Sequence, residues 1–175
     1  RSIIAGNPEV IPGMIGTLLS VGKYIGRASD EAGEMVVEGL KAMKEQGLSI
    51  EETAKQIVED YTSQGKRIPG LGHPIHKVMD PRAKRLRDYA EQIDYVGQHT
   101  LLYDAIYKEV LRRRGERPIA MNCDAYCATL LLDLGLSKLS LTPLLLLSVL
   151  PGAIASCIEE IEENKPVKGL PSIFW

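Results

Sequence analysis

Apolar residues along this chain recur at three- and four-residue spacing and nowhere sustain an alternation in twos, so helices are the expected building material. The clearest run begins at Ser49. Ser49-Ile50-Glu51-Glu52 is a capping box, and Ile50, Ala54, Ile57, Val58 and Tyr61 follow as one buried stripe that should close near Gly65. Upstream, Ser29-Asp30-Glu31 offers a cap and two acids to a helix running to about Gly47. Asp80-Pro81 sets a cap and a first-turn proline before Leu86, Tyr89, Ala90 and Ile93. Thr100–Arg114, Ala120–Leu134 and Pro143–Asn164 fit further helices. The expectation is an all-α fold of about seven helices. Its most irregular stretch is Gly65–Met79, and loops on a rigid scaffold often carry chemistry.

Composition narrows the function classes. An apolar fraction of 45% across 175 residues supports a core that buries roughly 70% of the unfolded surface, which excludes a disordered chain. A net charge of −2 argues against a wholly basic nucleic-acid binder. Three cysteines cannot close a disulfide framework, so a reducing, cytoplasmic setting is expected. The chain opens on Arg1 rather than Met, which suggests a fragment, a processed chain or incomplete coverage, and Arg1–Val10 holds no long apolar stretch, so no signal peptide is visible there. Leu139–Ile158 is uncharged and formally long enough to cross a bilayer. Pro143, Pro151 and Gly152 interrupt it and four hydroxyl residues dilute it, so a pair of buried core helices is expected and no membrane contact.

Several weak motifs resolve to structural readings. Gly16–Lys23 fails as a phosphate loop, because five residues rather than four separate Gly16 from Gly22 and Tyr24 replaces the required hydroxyl residue. Cys123 and Cys127 share a helix face without a second pair, so they read as core thiols and no metal is expected. His99 reads as a surface or helix-start residue. Glu159, Glu160, Glu162 and Glu163 read as a solvated helix end, and Arg112-Arg113-Arg114 as a helix C-terminus.

Lys66–Arg87 is different. Lys66, Arg67, Lys77, Arg82, Lys84, Arg85 and Arg87 gather around a loop that also holds Gly70, Gly72, His73 and His76. Backbone N–H groups beside such charge make a seat for phosphate. No aromatic platform or known module supports a nucleic-acid reading.

Ile68-Pro69-Gly70-Leu71-Gly72-His73, continuing to Asp80-Pro81-Arg82, resembles the PGxGH…DPR signature of the citrate synthase superfamily. Met121-Asn122-Cys123-Asp124 resembles that family's N-x-D segment, and Gly22–Ala32 its glycine-rich helix start. The resemblance covers most of Arg1–Pro166. It implies an all-α fold with a large and a small domain and a site in the cleft between them. Residues 25–129 would form the small domain, with 1–24 and 130–175 belonging to the large one and its N-terminal part preceding Arg1. It also implies a homodimer.

The resemblance implies roles that make chemical sense for a carbon–carbon bond beside a thioester. His73 donates to the carbonyl oxygen of oxaloacetate, or accepts the hydroxyl proton of citryl-CoA in reverse. Arg82 offers a planar fork to a substrate carboxylate. Asp124 removes a methyl proton from acetyl-CoA or returns it to the enolate. Ile68, Pro69, Gly70, Leu71, Gly72, Lys77 and Asn122 fall where the family holds coenzyme A, its substrate carrier.

Two departures shape the expected activity. Citrate synthases place a histidine where Ile25 stands, and losing one oxyanion donor costs on the order of 10²–10³ in rate. A second family arginine falls at about Cys157 and is also absent. An apolar residue at 25 resembles the citryl-CoA lyase module of ATP-citrate lyase, and GHPIHK…DPRA resembles stand-alone citryl-CoA lyases. Citryl-CoA cleavage is therefore expected. Citrate or methylcitrate synthesis is the alternative, and a non-catalytic coenzyme A-binding subunit is the alternative of another class.

Overall fold

The structure is a computed structural model that describes residues 2–22, 26–115 and 117–163. The described elements run α1 (Ser2–Gly6), α2 (Val10–Leu19), α3 (Ala28–Gln46), α4 (Ile50–Ser63), α5 (Pro81–Gln92), α6 (Gln98–Arg113), α7 (Cys123–Asp133), a 3₁₀ turn (Lys138–Ser140) and α8 (Leu141–Glu162). The fold is all-α. Its extended pairing includes an isolated antiparallel bridge between Leu71 and Met121. Two compact units divide the described residues. One comprises 26–145; the other joins α1 and α2 to the part of α8 from Leu146 onward.

Local sequence signals place most helix ends in the 26–145 unit. Ser49 Oγ accepts from the Glu52 N–H at 3.2 Å while Glu52 Oε2 accepts from the Ser49 N–H at 2.9 Å, closing the capping box before α4. Gly47 ends α3 in the left-handed region at φ 67°, where a side chain would strain the turn. Asp80 caps α5 and Pro81 occupies its first position. α6 borrows its cap: the Asp133 carboxylate at the end of α7 accepts from the N–H groups of Gly97, His99 and Thr100, and pairs with His99 Nδ1 at 2.8 Å. His99 is thus a helix-start residue.

The core of this unit stacks Ala32, Met35, Val36 and Leu40 of α3 against Ala54 and Val58 of α4, Leu102, Tyr103 and Ile106 of α6, and Ala125, Tyr126 and Leu132 of α7. A Cβ on Gly39 would lie 2.7 Å from Ile57 Cδ1 and 2.9 Å from Leu102 Cδ2, so α3 approaches its neighbours through a position that has no side chain.

Three sequence expectations are corrected. α3 begins at Ala28 after Arg27, which makes no side-chain cap, and Ser29 lies buried inside the first turn rather than capping it. α7 begins at Cys123 rather than Ala120, because residues 120–122 are drawn into pairing with the loop at 70–72. The uncharged run is one helix, as the span Pro143–Asn164 predicts, and not the pair of buried ones also expected. Proline's fixed φ is itself helical, and although Pro151 forgoes one backbone bond and crowds the carbonyl a turn earlier, α8 continues through it. Leu141 and Cys157 are buried along it, whereas Leu147, Val149 and Ile158 are exposed, as is Leu139 just before it. By length and composition alone this helix would reach across a bilayer.

Buried and paired carboxylates make the fold acid-sensitive. Burial pushes Asp133 up, but bonds from Thr100 and His99 outweigh it and hold its carboxyl below the usual range. Hydrogen bonds from Arg112 and Arg113 hold Glu109 at about 2. A carboxyl depressed on folding stabilises the native state above its unfolded value near 4, and the gain disappears as pH falls through the folded value. The melting temperature should hold between about pH 5 and 7 and drop steeply from about pH 4 towards 2. A flat profile across that window would contradict these pairings.

Candidate active site

The loop after α4 is stitched to the start of α7. The Gly72 N–H donates to Ala120 O at 2.6 Å and the Asn122 N–H donates to Gly70 O at 2.9 Å, flanking the Leu71–Met121 bridge. The hydroxyl of fully buried Tyr103 donates to Pro69 O at 2.8 Å. Gly70 lies at φ 81° with no room for a side chain: a Cβ there would sit 2.0 Å from Ala125 Cβ and 2.4 Å from the Tyr103 hydroxyl. The segment Ile68–Gly72 is therefore a fixed platform, with Ile68 and Gly70 buried.

His73 emerges from that platform. Its Nδ1 accepts the N–H groups of Ile75 and His76, both at 3.1 Å, so the proton of the neutral ring is assigned to Nε2. That atom faces Arg82 Nη2 at 3.4 Å and Asp80 Oδ2 at 3.8 Å. The imidazole is thus set as a donor towards an incoming oxygen. The expected acceptor role meets an obstacle, since a proton moved to Nδ1 would oppose two backbone N–H groups. His76 leans on His73 with ring centroids 4.5 Å apart.

Arg82 sits in the first turn of α5. Its Nε and Nη2 bond Asp80 Oδ1 and Oδ2 at 3.1 and 2.8 Å, while its side chain is 59% exposed. Burial pushes the Asp80 carboxyl up, but Arg82 and the Cys123 N–H outweigh it and hold it at about 2. Bonding to Asp80 in turn raises the Arg82 guanidinium, and the charge of Asp124 contributes.

Asp124 occupies the first turn of α7, half-buried. Its Oδ1 accepts from the thiol of buried Cys123 at 3.3 Å, and burial beside that carboxylate pushes the thiol up to about 12. Its carbonyl accepts from the Ser29 hydroxyl at 3.1 Å, tying α3 to α7. The Asn122 side-chain oxygen accepts from the Ala125 N–H and caps the helix. Lys77 turns onto its own loop, donating to Pro74 O at 2.8 Å.

His73 and Arg82 come together directly, and Asp124 joins them through Asp80, whose Oδ2 also accepts the Cys123 N–H at 3.2 Å. Ile25 lies outside the described residues. Asp80, Ser29 and Tyr103 carry much of this geometry and were not singled out as site residues. Asp80 had a visible local signal, as a helix cap, but its bond to residue 123 leaves no trace in spacing.

Beside the platform an open cavity of about 510 Å³ is lined by Lys66, Arg67, Ile68, Leu71, Gly72, Arg113 and Arg114, among others. Arg113 pairs with Glu109 and Glu59, so Lys66, Arg67 and Arg114 supply the charge that has no ion-pair partner among the described residues.

The sequence matches the family model described as citrate synthase, C-terminal domain, over residues 19–170. It is 30% identical over 159 residues to the citrate synthase of Synechocystis sp., covering 89% of this chain and 37% of that protein. It is 36% identical over 115 residues to that of Deinococcus radiodurans, covering 64% of this chain and 30% of that protein. The chain thus spans about a third of these curated relatives. Among solved structures, citryl-CoA lyase from Hydrogenobacter thermophilus superposes with a TM-score of 0.85 at 28% identity, over 99% of this chain and 64% of that one. Citrate synthase from Thermoplasma acidophilum shares the fold with a TM-score of 0.79 at 21% identity, over 99% and 45%. With its signature loop, first-turn arginine and helix-borne aspartate held in one place, and a family match along nearly its whole length, the chain belongs to the citrate synthase family.

Proposed function

We propose that the protein containing this chain is a citryl-CoA lyase, cleaving citryl-CoA into acetyl-CoA and oxaloacetate. The carrying observation is the orientation of His73. Its Nε2–H, fixed by two backbone bonds to Nδ1, donates to the oxygen that is hydroxyl in citryl-CoA and carbonyl in oxaloacetate, and stabilises the charge left there as the hydroxyl proton passes to solvent. Arg82 takes a substrate carboxylate on its exposed side. Asp124, as a carboxylic acid, protonates the enolate carbon of departing acetyl-CoA, or as carboxylate removes that proton in condensation.

Coenzyme A lies along Ile68–Gly72, with its phosphates in the cavity carrying Lys66, Arg67 and Arg114. The apolar residue at position 25 resembles the citryl-CoA lyase module and supports cleavage by that likeness, since a missing enolate donor slows both directions alike; the citrate synthase names of the curated relatives favour the reverse direction. The exposed apolar residues of α8 suit packing against protein, as in a homodimer, and a cytoplasmic setting fits the free thiols.

The complete protein should release acetyl-CoA and oxaloacetate from citryl-CoA faster than it condenses them at equal substrate concentrations. Arg82→Lys keeps the charge but loses the fork, so cleavage should fall by at least about tenfold while coenzyme A affinity stays within about twofold. Release of neither product would overturn the assignment. Parallel loss of both properties would move Arg82 to the coenzyme site.

A further inference from the structure

Asp80 is 0% exposed where the loop, α5 and α7 meet, and four N–H donors end on its two oxygens. Oδ1 accepts the Arg82 backbone N–H at 2.9 Å and Arg82 Nε at 3.1 Å; Oδ2 accepts Arg82 Nη2 at 2.8 Å and the Cys123 N–H at 3.2 Å. A helix cap needs one oxygen and no charge, since serine or asparagine serves as well. A fixed negative charge beside an arginine meant for an anionic substrate also opposes that substrate. Neither capping nor attraction accounts for a buried carboxylate here.

We propose that Asp80 is the positioning residue of the site, an inference that rests on the reading just given and deepens it. By holding the Nε–Nη2 edge of Arg82, it leaves the Nη1–Nη2 edge as the one presented to the substrate carboxylate. By taking the Cys123 N–H with the same carboxylate, it sets the first turn of α7, and with it Asp124, in register with that edge. His73 Nε2 lies 3.8 Å from Asp80 Oδ2, so all three groups are referred to one buried anchor. The arrangement selects a substrate bearing a carboxylate next to the polarised oxygen, bound end-on by Arg82.

Asparagine at this position has one oxygen for four donors, and its NH₂ group would face two of them. In the complete protein, Asp80→Asn should therefore weaken oxaloacetate binding by at least about tenfold by calorimetry, with coenzyme A affinity changed less than about twofold. Asp80→Asn combined with Arg82→Gln should bind oxaloacetate within about twofold of Arg82→Gln alone, because Asp80 acts through Arg82. Unchanged oxaloacetate affinity in Asp80→Asn, equal loss of both ligands or additive losses would each overturn the proposal. If Asp80→Asn fails to fold, Asp80→Ser keeps a cap oxygen but frees the guanidinium, and the same outcomes apply. A wild-type protein that binds no oxaloacetate would contradict the lyase reading instead. The anchor is then read from the Arg82 Nε–H resonance: slow exchange lost in Asp80→Ser supports it, and exchange unchanged by Asp80→Ser overturns it.

Discussion

Asp124→Asn should fold, bind coenzyme A normally and lose citryl-CoA cleavage by at least about 10²-fold. Asparagine matches aspartate in size and still accepts the Cys123 thiol through its remaining oxygen. The helix start is held by Asn122, Ser29 and Asp80, none of which bonds the Asp124 side chain. The change therefore removes the exchangeable carboxyl proton and little else. A melting temperature within a few degrees of wild type would separate chemistry from folding. Near-normal cleavage by the folded variant would remove Asp124 from the mechanism.

Gly70→Ala should be the most damaging single methyl group in the 26–145 unit. The new Cβ would meet Ala125 Cβ and the Tyr103 hydroxyl inside van der Waals distance, at a backbone φ of 81°. Neither neighbour can swing aside, because Ala125 is on the α7 backbone and Tyr103 is fully buried with its hydroxyl on Pro69. A non-glycine residue at strained φ costs roughly 1–3 kcal/mol and overpacking roughly 1–3 more. A loss of about 4 kcal/mol should lower the melting temperature by about 10 °C in a chain of this size. His73 stands three residues later, so activity should fall even where the protein remains folded. A shift below about 3 °C would show that the platform is less rigid than its bonds imply.

Features that depend on a few neighbouring residues were legible beforehand. The Ser49–Glu52 box, the Asp80-Pro81 start and the Gly47 end are local, and each stands where its spacing put it. Features that depend on distant partners were not. Ser29 has the chemistry of a cap, yet burial against α7 gives its hydroxyl to Asp124 O, 95 residues away. Ala120–Asn122 has helical composition, but its N–H and C=O groups are satisfied by Gly70 and Gly72, so the helix waits until Cys123. The run around Pro151 supported both a single helix over Pro143–Asn164 and a pair of buried ones; Leu144–Leu150 and Ala153–Ile158 are apolar enough to carry one helix through the proline. At the site, the motif spacing pointed to His73, Arg82 and Asp124. The buried carboxylate that ties them together was visible only as a cap.

Cleavage of citryl-CoA in heavy water tests the central claim most directly. Retro-aldol cleavage leaves the enolate of acetyl-CoA, and Asp124, exchanged with solvent, delivers one deuteron to its carbon. Mass spectrometry of the released acetyl-CoA should show a methyl group carrying a single deuterium, formed together with oxaloacetate. Formation of citrate and free coenzyme A instead, with no acetyl-CoA released, would identify thioester hydrolysis and contradict the account.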